Sequence, residues 1–287
     1  MNKHLSVMQA YIKLREGLSN LYSADEATAI AHEYIESLTG LNKMDRLLAK
    51  DDLLNEMLFS AFHKDFQRLT IGEPLQHITG YQWFASYKFI VNNHVLIPRP
   101  ETEELIKWLV EECKIKTTIS ILDIGTGSGC IPIAIKKKLP TANVTSCDIS
   151  EEAITIAKLN AQNMNTSIQF IQLDFLREVH WKDLPNVDVL VSNPPYIPVS
   201  EKENLDKNVR DFEPATALFV ADDDRFVFYR KIALFGLQKL NPNGAIYCEI
   251  HQNFAKETMA VFNQAGYSNI ELRKDIYGND RMLKVFL

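Results

Sequence analysis

Across roughly the first 70 residues, apolar positions recur at intervals of three and four, the period of helices buried on one side. In "SADEATAIAHEYIESLTG", Ala27, Ile30, Tyr34 and Leu38 share a face, Ser23 and Glu26 have the capping-box spacing, and Gly40 closes the end. "DDLLNEMLFSAFHKDFQRL" repeats the pattern with Leu54, Leu58, Phe62 and Phe66 on one stripe. This part reads as a small helical bundle, either a packing unit or a platform for a partner. Gly72, Pro74 and Gly80 then break the period. "WFASYKFIVNNHVLI" sets aromatic and β-branched residues around polar turn residues and predicts a hairpin. "PRPETEELIKWLVEEC" predicts a helix with proline in its first turn and acids at its positive end.

From residue 119 the pattern changes to short β-rich runs alternating with helices: "ISILDIG", "NVTSCDIS", "SIQFIQLDF", "VDVLVSNPPY" and "GAIYCEI", then a β-rich stretch to "MLKVFL". That alternation predicts an α/β fold with a mostly parallel sheet. The expected division is a helical domain over 1–75, a linker with a β-hairpin over 76–98, and a Rossmann-like catalytic domain over 99–287. Ligands of such sheets bind beyond the C-terminal strand ends. Four of those ends carry chemistry: Asp123 with its glycines, Asp148, Asp174 and Asn193.

"LDIGTGSGC" spaces Gly125, Gly127 and Gly129 with Thr126 and Ser128 between them. Glycines there allow a sharp turn and close approach of a ligand to the backbone. Asp148 follows Asp123 by 25 residues, the place where a dinucleotide-binding chain keeps its ribose-binding acid. The glycine spacing departs from G-x-G-x-x-G and offers no usual pyrophosphate seat, so a nucleoside without phosphates fits better than NAD. S-adenosylmethionine is such a ligand. Asp174 is placed to accept from an adenine amino group, Phe175 to stack on the ring, and Asp123 to position the turn or meet the ligand's ammonium.

The stretch "SNPPYIP" stiffens a strand exit. Pro194 and Pro195 fix φ and donate nothing. Asn193 and the Pro194 carbonyl are placed to hold an –NH2 group by both hydrogens, with Tyr196 against the planar group that bears it. Such a clamp returns electron density to a poor amide or amine nucleophile and aims it at a sulfonium methyl.

Composition narrows the field. The chain has 287 residues, a net charge of −6, and no Lys/Arg-rich block, which leans against a grip on nucleic-acid phosphates. None of the four cysteines forms a C-x-x-C pair, so buried thiols are expected rather than zinc or disulfides. No secretory h-region and no apolar run of about 18 residues is present, so the cytoplasm is the expected compartment.

"NPPY" after a strand, behind "DIGTGSG", resembles the amino-methyltransferases of glutamine, adenine or cytosine. With "LIPRPETEELI", "DISEEAITIAKLNA", "FEPATAL" and "KDIYGNDRMLKVFL", the chain is similar to the protein N5-glutamine methyltransferases of class 1 peptide-chain release factors. The resemblance is strong from about residue 75 and looser before it. It implies a glutamine substrate in a G-G-Q loop, cofactor contacts from Gly125 through Gly129, Asp148, Phe175 and Asn193, and substrate contacts from Asn193, Pro194, Pro195 and Tyr196. Two places depart from the family pattern: His251 stands where a glycine is expected, and "ADDDRF" is acidic where a glycine-bearing turn is usual. Phe175 replaces a tryptophan of some relatives. Two rival readings are a base methyltransferase of nucleic acid, disfavoured by the charge balance, and a non-catalytic cofactor-binding or partner-binding module, disfavoured by the intact clamp.

Overall fold

The structure, a computed structural model, describes residues 4–114 and 118–287. They fall into two compact units: one runs to Gly80 and includes Asp206–Phe212, and the other holds Tyr81–Leu205 and Glu213–Leu287.

The first unit is helical: α1 (Val7–Leu18), α2 (Ala24–Thr39), α3 (Lys43–Leu48), α4 (Glu56–Thr70) and α5 (Leu75–Thr79). The Ser23–Glu26 capping box starts α2 as expected, and left-handed Gly40 (φ 71°) ends it. Asn55 caps α4, so Leu54 precedes the helix instead of riding on it, although it is buried in the same cluster. Leu14, Leu18, Ala31, Ile35 and Phe62 fill the centre of that cluster.

The second unit opens with β1 (Tyr81–Phe84) and β2 (Tyr87–Ile90), an antiparallel hairpin. Its two-residue turn is Ala85–Ser86, both at positive φ, as a primed turn requires. Then follow α6 (Pro100–Cys113), β3 (Ser120–Ile124), α7 (Cys130–Lys138), β4 (Asn143–Asp148), α8 (Glu151–Asn163), β5 (Gln169–Gln172) and β6 (Val187–Ser192). The short pair β7 (Ile197–Pro198) and β8 (Phe219–Val220) brackets α10 (Ala215–Leu218), while α9 (Lys207–Phe212), which lies between them in sequence, belongs to the first unit. The unit closes with α11 (Val227–Lys239), β9 (Leu240–Glu249), α12 (Ala255–Gln264), β10 (Asn269–Lys274) and β11 (Asp280–Phe286).

Seven strands form one sheet in the order β10-β11-β9-β6-β3-β4-β5. The five from β9 to β5 are parallel; at one edge β11 pairs antiparallel with β9, and β10 antiparallel with β11. Both faces are covered. Leu105, Leu109 and Ile133 of α6 and α7, with Phe84 and Phe89 of the hairpin, pack with Ile121 and Val189. Ile232, Phe235 and Phe262 of α11 and α12 pack with Leu122, Leu190 and Ile246. Burial on both faces explains why these strands read as continuous apolar runs instead of alternating ones. The chain leaves β3 toward β4 on one side and returns through β6 on the other, which opens a crevice beyond their C-terminal ends.

Candidate functional site

A cavity of about 500 Å³ occupies that crevice, a size suited to a nucleoside-bearing ligand. The four strand ends singled out in the sequence converge there, but not all of their residues face the space.

Gly125 and Gly127 line the cavity. Both have positive φ, and a Cβ built on either would meet nothing within 4 Å, so the backbone lies open to a ligand. Gly129 serves packing instead: its Cβ would come within 3.1 Å of Ala157 on α8. Thr126 and Ser128 are buried in the turn and, like Gly129, do not line the cavity.

Asp148 ends β4 and lines the cavity. Its Oδ2 accepts from the Gly127 amide at 2.9 Å and its Oδ1 from the Ser150 amide at 3.0 Å. Each oxygen keeps lone-pair capacity for a further donor, as a ribose diol requires. Burial raises its pKa, and the amide hydrogen bonds of Ser150 and Gly127 oppose that shift. Asp148 thus shapes the glycine turn as well as facing the cavity.

Asp123 lies beneath the turn, fully buried and outside the cavity wall. Ser146 donates to its Oδ2 at 2.6 Å. Its Oδ1 has no hydrogen bond of normal geometry among the described residues, although the nearby Thr126 hydroxyl draws its pKa down. Burial dominates and pushes the Asp123 pKa up to about 7, with the Asp148 charge adding to it. An acid with a raised folded pKa stabilises the fold while protonated, and that contribution is lost as pH rises through about 7. Asp123→Asn, which keeps an acceptor for Ser146, should therefore flatten the fall in stability between about pH 4 and 7, by a few kcal/mol at most. Denaturant midpoints of the two proteins across that range check this, and parallel curves would refute it.

Asp174 lines the cavity just beyond β5, with Oδ1 accepting from the Leu176 amide at 3.0 Å. Phe175 also reaches the wall but is mainly a core ring, 5% exposed, packed 5.6 Å from Trp181 and 5.4 Å from Phe235. Its carbonyl is taken by Trp181 Nε1 at 2.8 Å.

Asn193, Pro194 and Pro195 line the cavity across from Asp148, immediately after β6. Tyr196 does not line it; its hydroxyl turns back to donate to Glu249 Oε1 at 3.0 Å. Glu249, the buried last residue of β9, also accepts from Thr102 Oγ1 at 2.6 Å, and Thr102 Oγ1 in turn accepts from Asn193 Nδ2 at 3.1 Å. Neither Glu249 nor Thr102 was marked by the sequence reading.

Two further residues bind the walls together. Glu213 of "FEPATAL", 6% exposed, accepts from the Ile97 amide at 3.0 Å and pairs with Arg99. That joins "LIPRP" to the loop that covers the cavity. Asn160 on α8, fully buried, donates to the carbonyls of Ser128 and Ile90 at 2.9 Å each and accepts from the Ile90 amide at 2.7 Å. It locks the glycine turn to the end of the hairpin.

The two departures from the family pattern have local reasons. His251 has φ −68°, which needs no glycine, and its Nδ1 accepts from the Asn253 amide at 3.2 Å to cap a short turn. Burial lowers its pKa while Glu201, 3.2 Å from Nε2, opposes that. In "ADDDRF", Asp222 Oδ1 accepts from the Ser200 amide and hydroxyl at 3.0 and 2.6 Å, and none of residues 221–226 has positive φ.

The donor set fits S-adenosylmethionine: an open glycine backbone, an acid at the second strand end, a further acid beyond the third, and an apolar wall. No helix among the described residues is long and apolar enough to cross a membrane.

Comparison with known proteins points to the same cofactor. Residues 102–212 match the methyltransferase small domain, and residues 13–80 match the PrmC N-terminal domain. The chain is 39% identical over 274 residues to the release factor glutamine methyltransferase of Flavobacterium psychrophilum, covering 94% of this chain and 95% of that protein. The protein of that name from Bacteroides thetaiotaomicron is 38% identical, covering 96% and 97%. Among solved structures, the hMettl16 catalytic domain in complex with the MAT2A 3′UTR hairpin 6 shares the fold, with a TM-score of 0.54 at 17% identity over 78% of this chain and 81% of that one.

Proposed function

The chain belongs to the release factor glutamine methyltransferase family, and on that premise we propose that it methylates the side-chain amide nitrogen, N5, of the glutamine in the G-G-Q motif of peptide-chain release factors. It is an S-adenosylmethionine-dependent methyltransferase. The observation that carries the finer reading is the Asn193-Pro-Pro exit of β6, which faces the same cavity as Asp148 and the open glycine turn.

Bound S-adenosylmethionine supplies an electrophilic methyl on a sulfonium. The chain's residues do the rest. Asp148 takes the ribose hydroxyls, and the backbone at Gly125 and Gly127 lets the amino-acid end approach. Asn193 Oδ1 and the Pro194 carbonyl accept the two hydrogens of the target amide. Those two acceptors raise electron density on a nitrogen whose lone pair is delocalised, and hold it in line with the methyl. Once the amide nitrogen had received the methyl that the cofactor would supply, it would release one proton to solvent. A strong base is not needed beforehand, because the methylated, cationic amide is a strong acid. The helical unit, which carries no strand-end motif, is assigned to the release factor; exposed Met44, Leu48 and Met57 on it support a protein partner.

The test is incubation of the protein with methyl-labelled cofactor and purified release factors, followed by location of the label by peptide mass. One added methyl on the G-G-Q glutamine is expected. Unlabelled factors, or label appearing on RNA or DNA supplied in parallel, would sink the reading.

A further inference from the structure

Asn193 is held from behind by a chain of hydrogen bonds that ends on a buried carboxylate. Glu249 is 2% exposed, and both of its oxygens are engaged by hydroxyls, Oε2 by Thr102 and Oε1 by Tyr196. Thr102, on the first turn of α6, is equally buried. A hydroxyl has one proton, and Thr102 spends it on Glu249. Its oxygen then meets Asn193 as an acceptor, so the Asn193 atom that faces it is the donor Nδ2. The amide atom left for the cavity is Oδ1.

We infer that Glu249 is a positioning residue which fixes the amide polarity of Asn193 through Thr102 and holds Tyr196 with its second oxygen. This inference rests on the reading of Asn193 as the acceptor for the substrate amide. A terminal amide has two orientations of nearly equal shape, related by a half-turn about its last bond. In one, Oδ1 accepts from a substrate –NH2; in the other, –NH2 opposes –NH2. Packing alone discriminates poorly between them. Burial raises the Glu249 pKa, and the Thr102 hydroxyl, the Arg281 charge and the Tyr196 hydroxyl oppose that; in its ionised form the carboxylate accepts and never donates, which sets the direction of every hydrogen along the Glu249–Thr102–Asn193 chain. Burying that charge is costly, and the strand end does not need it: Tyr229 OH already anchors the Glu249 backbone carbonyl at 3.0 Å.

Glu249→Gln keeps the size and breaks the rule. Its Nε2 can donate to Thr102 Oγ1, which frees the Thr102 proton to point at Asn193 and favours the wrong amide orientation. In the full-length protein acting on a purified release factor, kcat should fall about ten- to a hundred-fold, while KM for the factor and Kd for the cofactor stay within about threefold. Thr102→Val, which removes the relay, should produce a similar loss. Thr102→Ser, which retains it, should stay within about twofold of wild type. The Glu249→Gln/Thr102→Val double variant should be little worse than either single one, because both act through the same amide. Should Glu249→Gln melt early, the Thr102→Val and Thr102→Ser pair carries the same test on a different element. Glu249→Gln or Thr102→Val with kcat within a factor of about two, or with a loss confined to KM or cofactor binding, would overturn the inference. A wild-type protein that leaves the release factor unmodified would instead overturn the functional reading on which it stands.

Discussion

Asn193→Ala should lower kcat by about 10²- to 10³-fold with release-factor affinity nearly unchanged. The substituted side chain supplies the only side-chain acceptor proposed for the target nitrogen, beside the Pro194 carbonyl. Its hydrogen bond strengthens as that nitrogen gains positive charge, so its loss falls on the transition state more than on the bound substrate. Contacts of this kind are worth about 3 to 4 kcal/mol. The protein–protein interface is much larger than one amide, and KM for the factor should barely move. Asn193 also donates to Thr102 at 3.1 Å, and alanine leaves that hydroxyl an unused acceptor; the fold should tolerate this, because Thr102 keeps its bond to Glu249. Steady-state kinetics on intact factor, with binding measured separately, is the check. A variant that keeps more than about a third of wild-type kcat would show that the clamp does not operate.

Asp148→Ala is expected to weaken cofactor binding by about 2 to 3 kcal/mol, roughly 30- to 150-fold in Kd, since hydrogen bonds to a charged group are each worth about 1.5 to 3 kcal/mol. Two effects add. The carboxylate proposed for the ribose is gone, and the Gly127 and Ser150 amides lose the acceptor that shapes the turn. Asp148→Asn keeps one of the two acceptors and loses the charge, with its –NH2 set against the Gly127 or the Ser150 amide, and should fall between wild type and alanine. Calorimetric titration of the folded variants with the cofactor decides; an unchanged Kd for Asp148→Ala would remove Asp148 from the ribose.

The parts of the site that were legible in the sequence are those in which chemistry sits within a few residues. The glycine turn, the acid ending β4 and the Asn-Pro-Pro exit of β6 each announce a backbone conformation and a donor or acceptor in one short stretch. The alternation of strands and helices gave the parallel sheet for the same reason, since burial on two faces leaves a local apolar signature. What could not be seen is long-range pairing. Thr102 and Glu249 meet only because α6 and β9 are brought together by the sheet order. "PETE" reads as a helix start in isolation, and "YCEI" as a strand with one acid. Glu213 and Asn160 are equally silent, because their partners are backbone groups far along the chain. Phe175 is divided: its type suggested a stacking ring and it reaches the cavity wall, while Trp181 and Phe235 hold most of it in the core. The placement of Asp206–Phe212 with the helical unit was hidden as well, since a six-residue helix carries too little periodicity to declare its neighbours.

Asn160 has a consequence for where this chain can be cut. Its three hydrogen bonds join the glycine turn to Ile90 at the end of β2, and Phe84 and Phe89 of the same hairpin lie in the core beneath α6 and α7. A catalytic fragment begun at α6 would discard the hairpin, strip two aromatic rings from that core and leave a buried amide with unmet hydrogen-bonding groups, each costing about 1 to 3 kcal/mol. A fragment begun just before Tyr81 would keep all of these. The hairpin belongs with the catalytic half of any dissection, and in a chimera that exchanges helical units between relatives, the seam belongs at Gly80.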